Sequence, residues 1–225
     1  MKKYFIFCLV FLLSVLRLDT HTFSNLSLEE QVRATDFAVL GEVVSYEYRI
    51  DPSERFWKRT YVTIKVQEDL MKNIENFATY QQVGDNVYIE IDHPGGVFDG
   101  LTTRISGHPQ FFPGEVYVLH LWNRDVRNIA DPVVGFSNGA YRVIPDNNGV
   151  ARVYGFEGVY PVKGFISREV TDSPLEIMEI GAMAVDAELG ETAQDGSPIT
   201  LDAFLIQEKN MLTLLRGIEF EEGEE

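Results

Sequence analysis

Apolar and polar residues alternate with a period of two through several stretches of the chain, the pattern of half-buried strands. From Arg59 to Glu68, Val62, Ile64 and Val66 fall on one face and Tyr61, Thr63 and Lys65 on the other. The preceding run Phe37 to Ile50 is rich in β-branched and aromatic residues and holds one glycine, Gly41, so it predicts a long strand with a bulge or sharp bend. Asp51-Pro52-Ser53-Glu54 is turn chemistry that makes the two runs a hairpin. Residues 69–83 break the alternation and predict a short helix or an insertion. Gly84-Asp85 then turns the chain into Asn86 to Ile91, and His93-Pro94-Gly95-Gly96 reads as a loop. Further strands are predicted at about Leu101 to Ser106, Glu115 to Trp122, Val133 to Phe136 and Ala140 to Ile144. Asp146-Asn147-Asn148-Gly149 is a hairpin turn into Val150 to Tyr154. Many short, turn-punctuated strands argue an antiparallel barrel or sandwich.

Two helices flank this β region. Ser27-Leu28-Glu29-Glu30 has the spacing of a capping box, which predicts a short helix through about Thr35. Thr200 caps a second helix from Leu201 to Arg216, where Leu201, Leu205, Leu212 and Leu215 share a face and Gly217 follows as a stop. The organisation expected is a barrel domain over 23–154, an irregular connection over 155–198, a helix over 199–217 packed on the barrel, and a solvated acidic tail over 218–225.

The first residues follow another logic. Lys2 and Lys3 precede a thirteen-residue apolar run, Tyr4 to Leu16, closed by Arg17. A membrane span needs about 20 such residues, so residues 1–22 read as a secretory signal peptide and the protein as exported, periplasmic or extracellular. Cleavage after Thr22 removes the only cysteine, Cys8, and with it any thiol nucleophile or disulfide. It also removes Lys2, Lys3, Arg17 and Asp19, taking the formal charge from −16 to −18. A field of that sign repels phosphate backbones, so nucleic acid and anionic membranes are poor partners, and no membrane span is expected after processing.

Candidate chemistry is sparse. No zinc-ligand spacing, nucleophile elbow or glycine-rich phosphate loop occurs. His93 and His108 both adjoin proline and glycine-rich loops and could meet in space, but two unrelated loop histidines is the plainer reading. His120 sits in an apolar strand as a packed or edge-facing residue. Two segments stand out: Gly107 to Glu115, which runs into the strand from Val116, and Gly135 to Val143. Each brings glycine where backbone must turn and aromatics where a barrel end must be plugged.

Asp36 to Ser45, Arg59 to Val66, Gly84 to Val87 and the run from Gly107 with Phe111 at its aromatic position resemble a family of uncharacterised exported bacterial proteins. Their strand order is similar to that of the inhibitory domain of the tissue inhibitors of metalloproteinases and the related netrin-like domains. The resemblance implies a mainly β fold, an OB-like antiparallel β-barrel with a short N-terminal and a C-terminal helix. It also implies a partner class, a secreted metalloprotease. The cysteine with which the animal inhibitors chelate the protease zinc has no counterpart here, so inhibition by that route does not carry over.

The function expected is therefore an exported, non-enzymatic protein-binding module without cofactor or bound metal. Loop residues Phe56, Trp57, His108, Phe111 and Phe112 are the candidate partner contacts, because aromatics on loops are common binding anchors. A barrel that binds a small ligand and a hydrolase with an unrecognised site are the alternatives. A solvent-lined pocket holding a histidine or carboxylate of perturbed pKa would favour the hydrolase, and a filled barrel with exposed loop aromatics the binding module.

Overall fold

The structure, a computed structural model, describes residues 26–50, 58–123, 131–155, 160–161 and 198–220. Residues 1–25 (which hold the segment expected to be a signal peptide), Phe56, Trp57 and most of the connection before Pro198 lie outside the described residues.

The first helix, α1 (Leu28–Ala34), forms where its capping box predicts: Glu30 N donates to Ser27 Oγ at 3.2 Å and Ser27 N to Glu30 Oε2 at 2.8 Å. Among the described residues ten strands follow: β1 (Phe37–Ile50), β2 (Lys58–Asp69), β3 (Gln81–Val83), β4 (Asn86–Pro94), β5 (Gly96–Phe98), β6 (Leu101–Thr103), β7 (Val116–Leu121), β8 (Ala140–Pro145), β9 (Ala151–Gly155) and β10 (Tyr160–Pro161). The last helix, α2 (Leu201–Arg216), is capped by Thr200 and stopped by Gly217 at φ 66°, whose N–H reaches Thr213 O.

Eight strands make one antiparallel sheet in the order β10-β9-β8-β7-β1-β2-β4-β3, and β5 and β6 form a separate hairpin. The fold is mainly β with a helix at each end, as expected, but the barrel does not close. Among the described residues no ladder joins β3 to β10. β3 is three exposed residues and β10 only two, too short to make a seam. Burial supplies the second reason. The central strands are buried on both faces, as in a layered fold, whereas a small barrel buries only its interior.

One face carries Val39, Val43, Val62, Ile64, Ile89, Tyr117 and Leu119 in a cluster of their own, with Val66 and Val87 at its margin. The other face places Ala38, Leu40, Val118 and Val153 under the helices, against Val32, Phe204 and Leu212. Of the apolar face read on β2, Val62 and Ile64 are thus buried and Val66 is partly buried. Gly41 marks one of two register shifts in the β1–β2 ladder, and a Cβ there would come within 2.6 Å of Ile64 Cγ2. The bend lets β1 change neighbours: β7 pairs it only from Phe37 to Glu42, while β2 follows it to Ile50.

Smaller departures have local causes. Residues 69–83 hold a short 3-10 helix, Ile74–Asn76, and then β3. Val133 makes a single bridge to Leu121 rather than a strand. Tyr160–Pro161 adds a strand inside the stretch read as irregular. The tail is not wholly solvated: Ile218 and Phe220 pack on the helical cluster, and Lys72 Nζ donates to Glu219 O at 2.5 Å.

Candidate functional site

Val43 still donates to Glu115 O at 2.9 Å and accepts from Gly114 N at 2.8 Å; beyond it, among the described residues, β1 runs on with β2 alone, and the face that holds the core continues past the core's edge. The second register shift, between Val43 and Ser45, puts Tyr46 and Tyr48 on that face, opposite Val62 and Thr60. β4 contributes His93, opposite Thr60. The chain then turns at Gly95, whose N–H donates to Lys58 O at 2.9 Å and whose carbonyl accepts from Thr60 Oγ1 at 2.9 Å. Gly96, at φ +134°, lets the β5–β6 hairpin fold back close to the Tyr48 ring, because any Cβ would lie 2.5 Å from Tyr48 Cδ1. Residues 104–112 return across the opening.

Between these parts lies a cleft of about 190 Å³. His93 and His108 both line it, so the two loop histidines do meet at one site. His108 Nδ1 is 2.5 Å from Asp131 Oδ2, its ring packs 4.7 Å from Phe136, and Asp131 is almost wholly buried. The other Asp131 oxygen accepts from Val133 N at 2.8 Å, which fixes the carboxylate. His93 is half-buried beside Phe111, and its buried Nδ1 has no hydrogen-bond partner. Burial pushes the His93 imidazolium down from its ordinary value, with Asp131 opposing. At Tyr48 burial, followed by the Tyr46 hydroxyl, pushes the phenol up, so it stays protonated and a donor.

The loop that roofs the cleft is pinned from both ends. Ser137 N donates to Gly107 O at 2.9 Å, and the Tyr117 hydroxyl lies 3.1 Å from Gln110 O and 2.5 Å from Glu115 Oε2. Glu115 also pairs with Arg142. These contacts separate the two loop phenylalanines. Phe111 turns inward against Tyr117, with ring centroids 5.0 Å apart, and is only 6% exposed. Its neighbour Phe112 is left 50% exposed at the rim.

As partner contacts, then, the expected residues divide. Phe112 presents surface. Phe111 belongs to the core cluster, and His108 reaches the cleft wall with 8% of its surface open, so neither stands out from a loop. Phe56 and Trp57 lie outside the described residues. Tyr46, Tyr48, Arg104 and Asp131 also belong to the site, and the sequence alone does not mark them as such. The only signal for the tyrosines was their i, i+2 spacing near the end of a long strand, and for Arg104 and Asp131 there was none.

A second polar cluster lies on the helical side. His120 and Glu208 are fully buried, with Nε2 and Oε1 3.1 Å apart, an ion-pair distance without hydrogen-bond alignment. His120 Nδ1 is 3.1 Å from Thr35 Oγ1, and the Tyr141 hydroxyl donates to Gln31 Oε1 at 2.8 Å. His120 is thus a packed residue that links β7 to both helices.

Among the described residues, no group of three His, Cys, Asp and Glu side chains is placed to hold a metal, and no helix is long and apolar enough to cross a membrane. No family model, curated protein or solved structure matches the chain, so the resemblance to the inhibitor barrels gains no support from relatives.

Proposed function

We propose that the chain is an exported, non-catalytic recognition module whose binding site is the cleft between the end of β1, the β5–β6 hairpin and the 104–112 loop. The observation that carries this reading is the apolar rim. Tyr46, Tyr48, Val97, Ile105 and Phe112 are each 38–50% exposed, and all line the one opening. Scattered apolar residues on a surface need no explanation, but a group gathered round a cavity marks a binding site. A polypeptide partner fits better than a free small ligand, because the rim extends along an exposed strand beyond the cleft. A secreted metalloprotease is one partner to try first.

The test uses the processed chain as bait for proteins of its own culture medium, with F112A and Y48A as controls. Both side chains are rim residues, so the variants should fold. A partner held by the parent and at least about 5-fold more weakly by each variant supports the reading. Equal retention by all three chains overturns it.

One observation favours a second reading, a hydrolase. Asp131 holds His108 as an orienting carboxylate holds a general base. No serine or threonine hydroxyl is hydrogen-bonded to His108 among the described residues, and Thr60 gives its proton to Gly95 O. Ester or peptide hydrolysis by the purified chain that is abolished in H108A would establish this reading in place of the first.

A further inference from the structure

The cleft differs in charge from the rest of the molecule. Acidic residues number 35 of 225, and the chain carries −16, yet none of the sixteen residues that line the cleft is an aspartate or glutamate. One of them is Arg104. Arg33, Arg49, Arg59, Arg142 and Arg152 each have a carboxylate partner, and Arg216 donates to Arg33 O. Among the described residues, Arg104 alone of the arginines makes no ion pair or hydrogen bond. In so acidic a chain an exposed guanidinium without a carboxylate partner, set at the rim of the cleft, is a docking point for an anion. The planar fork of arginine fits a carboxylate through two parallel hydrogen bonds. A phosphate dianion would call for a second cation, and the other basic groups of the lining are His93, whose imidazolium burial disfavours, and His108, whose Nδ1 is already taken by Asp131; Tyr48, Thr102 and Gln110 add uncharged polar groups.

Two further features describe what bears the anion. The cleft, at about 190 Å³, has the size for one side chain, since a cavity of about 150 Å³ accepts a benzene ring. Next to it, Ser45–Ile50 of β1 is paired, among the described residues, on the β2 side only and is largely exposed. An unpaired strand edge is a template for an incoming extended chain.

Building on the recognition reading, we infer that the site takes the C-terminal segment of a partner polypeptide. The segment extends the sheet along Ser45–Ile50, its last apolar side chain enters the cleft, and its terminal carboxylate meets Arg104. The buried Nδ1 of His93, which has no protein partner, is a further polar atom at this wall for the incoming group.

The probe is an acetylated tetrapeptide of threonine, valine, threonine and phenylalanine, prepared with a free carboxylate and as its C-terminal amide, and titrated into the processed full chain by NMR. The free acid should bind at least 10-fold more tightly than the amide. R104Q should abolish that difference and R104K should restore part of it, since a lysine keeps the charge but not the fork. Amide signals of Ser45–Ile50 should shift and exchange more slowly. Equal affinity of acid and amide, or discrimination that survives R104Q, overturns the carboxylate assignment. N-acetylphenylalanine binding as tightly as the tetrapeptide overturns the strand-edge assignment. Either failure beside a partner whose retention still needs Phe112 and Tyr48 leaves the recognition module standing without its C-terminal specificity, whereas loss of that dependence removes the module itself.

Discussion

At the scale of single residues, the chain buries polar groups where only specific neighbours make them tolerable. His120 and Glu208 are both fully buried, at 3.1 Å, where β7 meets α2. Removing one member of a buried pair strands the other without solvent, so E208A should destabilise the fold by about 3–5 kcal/mol. The double variant H120L/E208L should cost less than the sum of H120L and E208L, because neither buried polar group is then left alone. Denaturant unfolding of the four chains measures this, and simple additivity would show that the two groups do not interact. His93 makes a prediction of a different kind. Burial depresses its folded-state pKa below the ordinary 6.5, so between those two values the unfolded chain binds the proton and the folded chain does not. Its contribution to stability is therefore complete above about pH 6.5 and declines as the pH falls from there, levelling off below the depressed value. H93Q should flatten the dependence of Tm on pH between about 7 and 5. A parent and variant with parallel profiles would contradict this.

At the scale of elements, position in the sheet decides what a substitution costs. Ile64 is fully buried between β1 and β4, and I64A should cost about 2–5 kcal/mol. On α2, Phe204 is fully buried and Ile206 is 55% exposed, so F204A should cost about 3–5 kcal/mol and I206A no more than about 0.5. Comparable losses from both would mean that α2 docks by another face. These elements also show what local pattern could and could not convey. Alternation from Tyr61 to Val66 and the Ser27–Glu30 spacing are local signals, and both elements formed where they were read. The α2 stripe was read from its leucines alone. Phe204 and Glu208 lie at the centre of the buried face, and a glutamate there is legible only once His120 is known to face it. The same holds for the cleft. It is assembled from β1, β4, the β5–β6 hairpin and the 104–112 loop, and Tyr46 and Tyr48 face it only because a bulge at Val43/Ser45 shifts the alternation by one. No periodicity in one segment encodes a neighbour 50 residues away. Barrel closure failed for the converse reason: many strands were legible, but the brevity of β3 and β10 as a seam was not.

At the scale of the molecule, charge governs encounter before any contact is made. A body at −16 repels a small anion over distances of about one Debye length, about 8 Å at physiological ionic strength, while the carboxylate-free cleft attracts it only at close range. The two effects act on different rates. Long-range repulsion slows association, and the Arg104 contact, once formed, slows dissociation. The free-acid tetrapeptide should therefore associate faster as salt rises from about 20 to 200 mM, by a factor of a few. Lengthening it at the N-terminus with three lysines should reverse the sign of that slope, because the field then steers the peptide in and salt screens the steering. A basic face on a natural partner would gain in the same way. R104Q should raise the dissociation rate of both peptides and leave their salt slopes almost unchanged, since it alters one charge among many. Stopped-flow fluorescence with a labelled peptide separates the two rates. If the lysine-bearing and lysine-free peptides respond alike to salt, the acidic surface plays no part in bringing partners to the cleft and serves solubility alone.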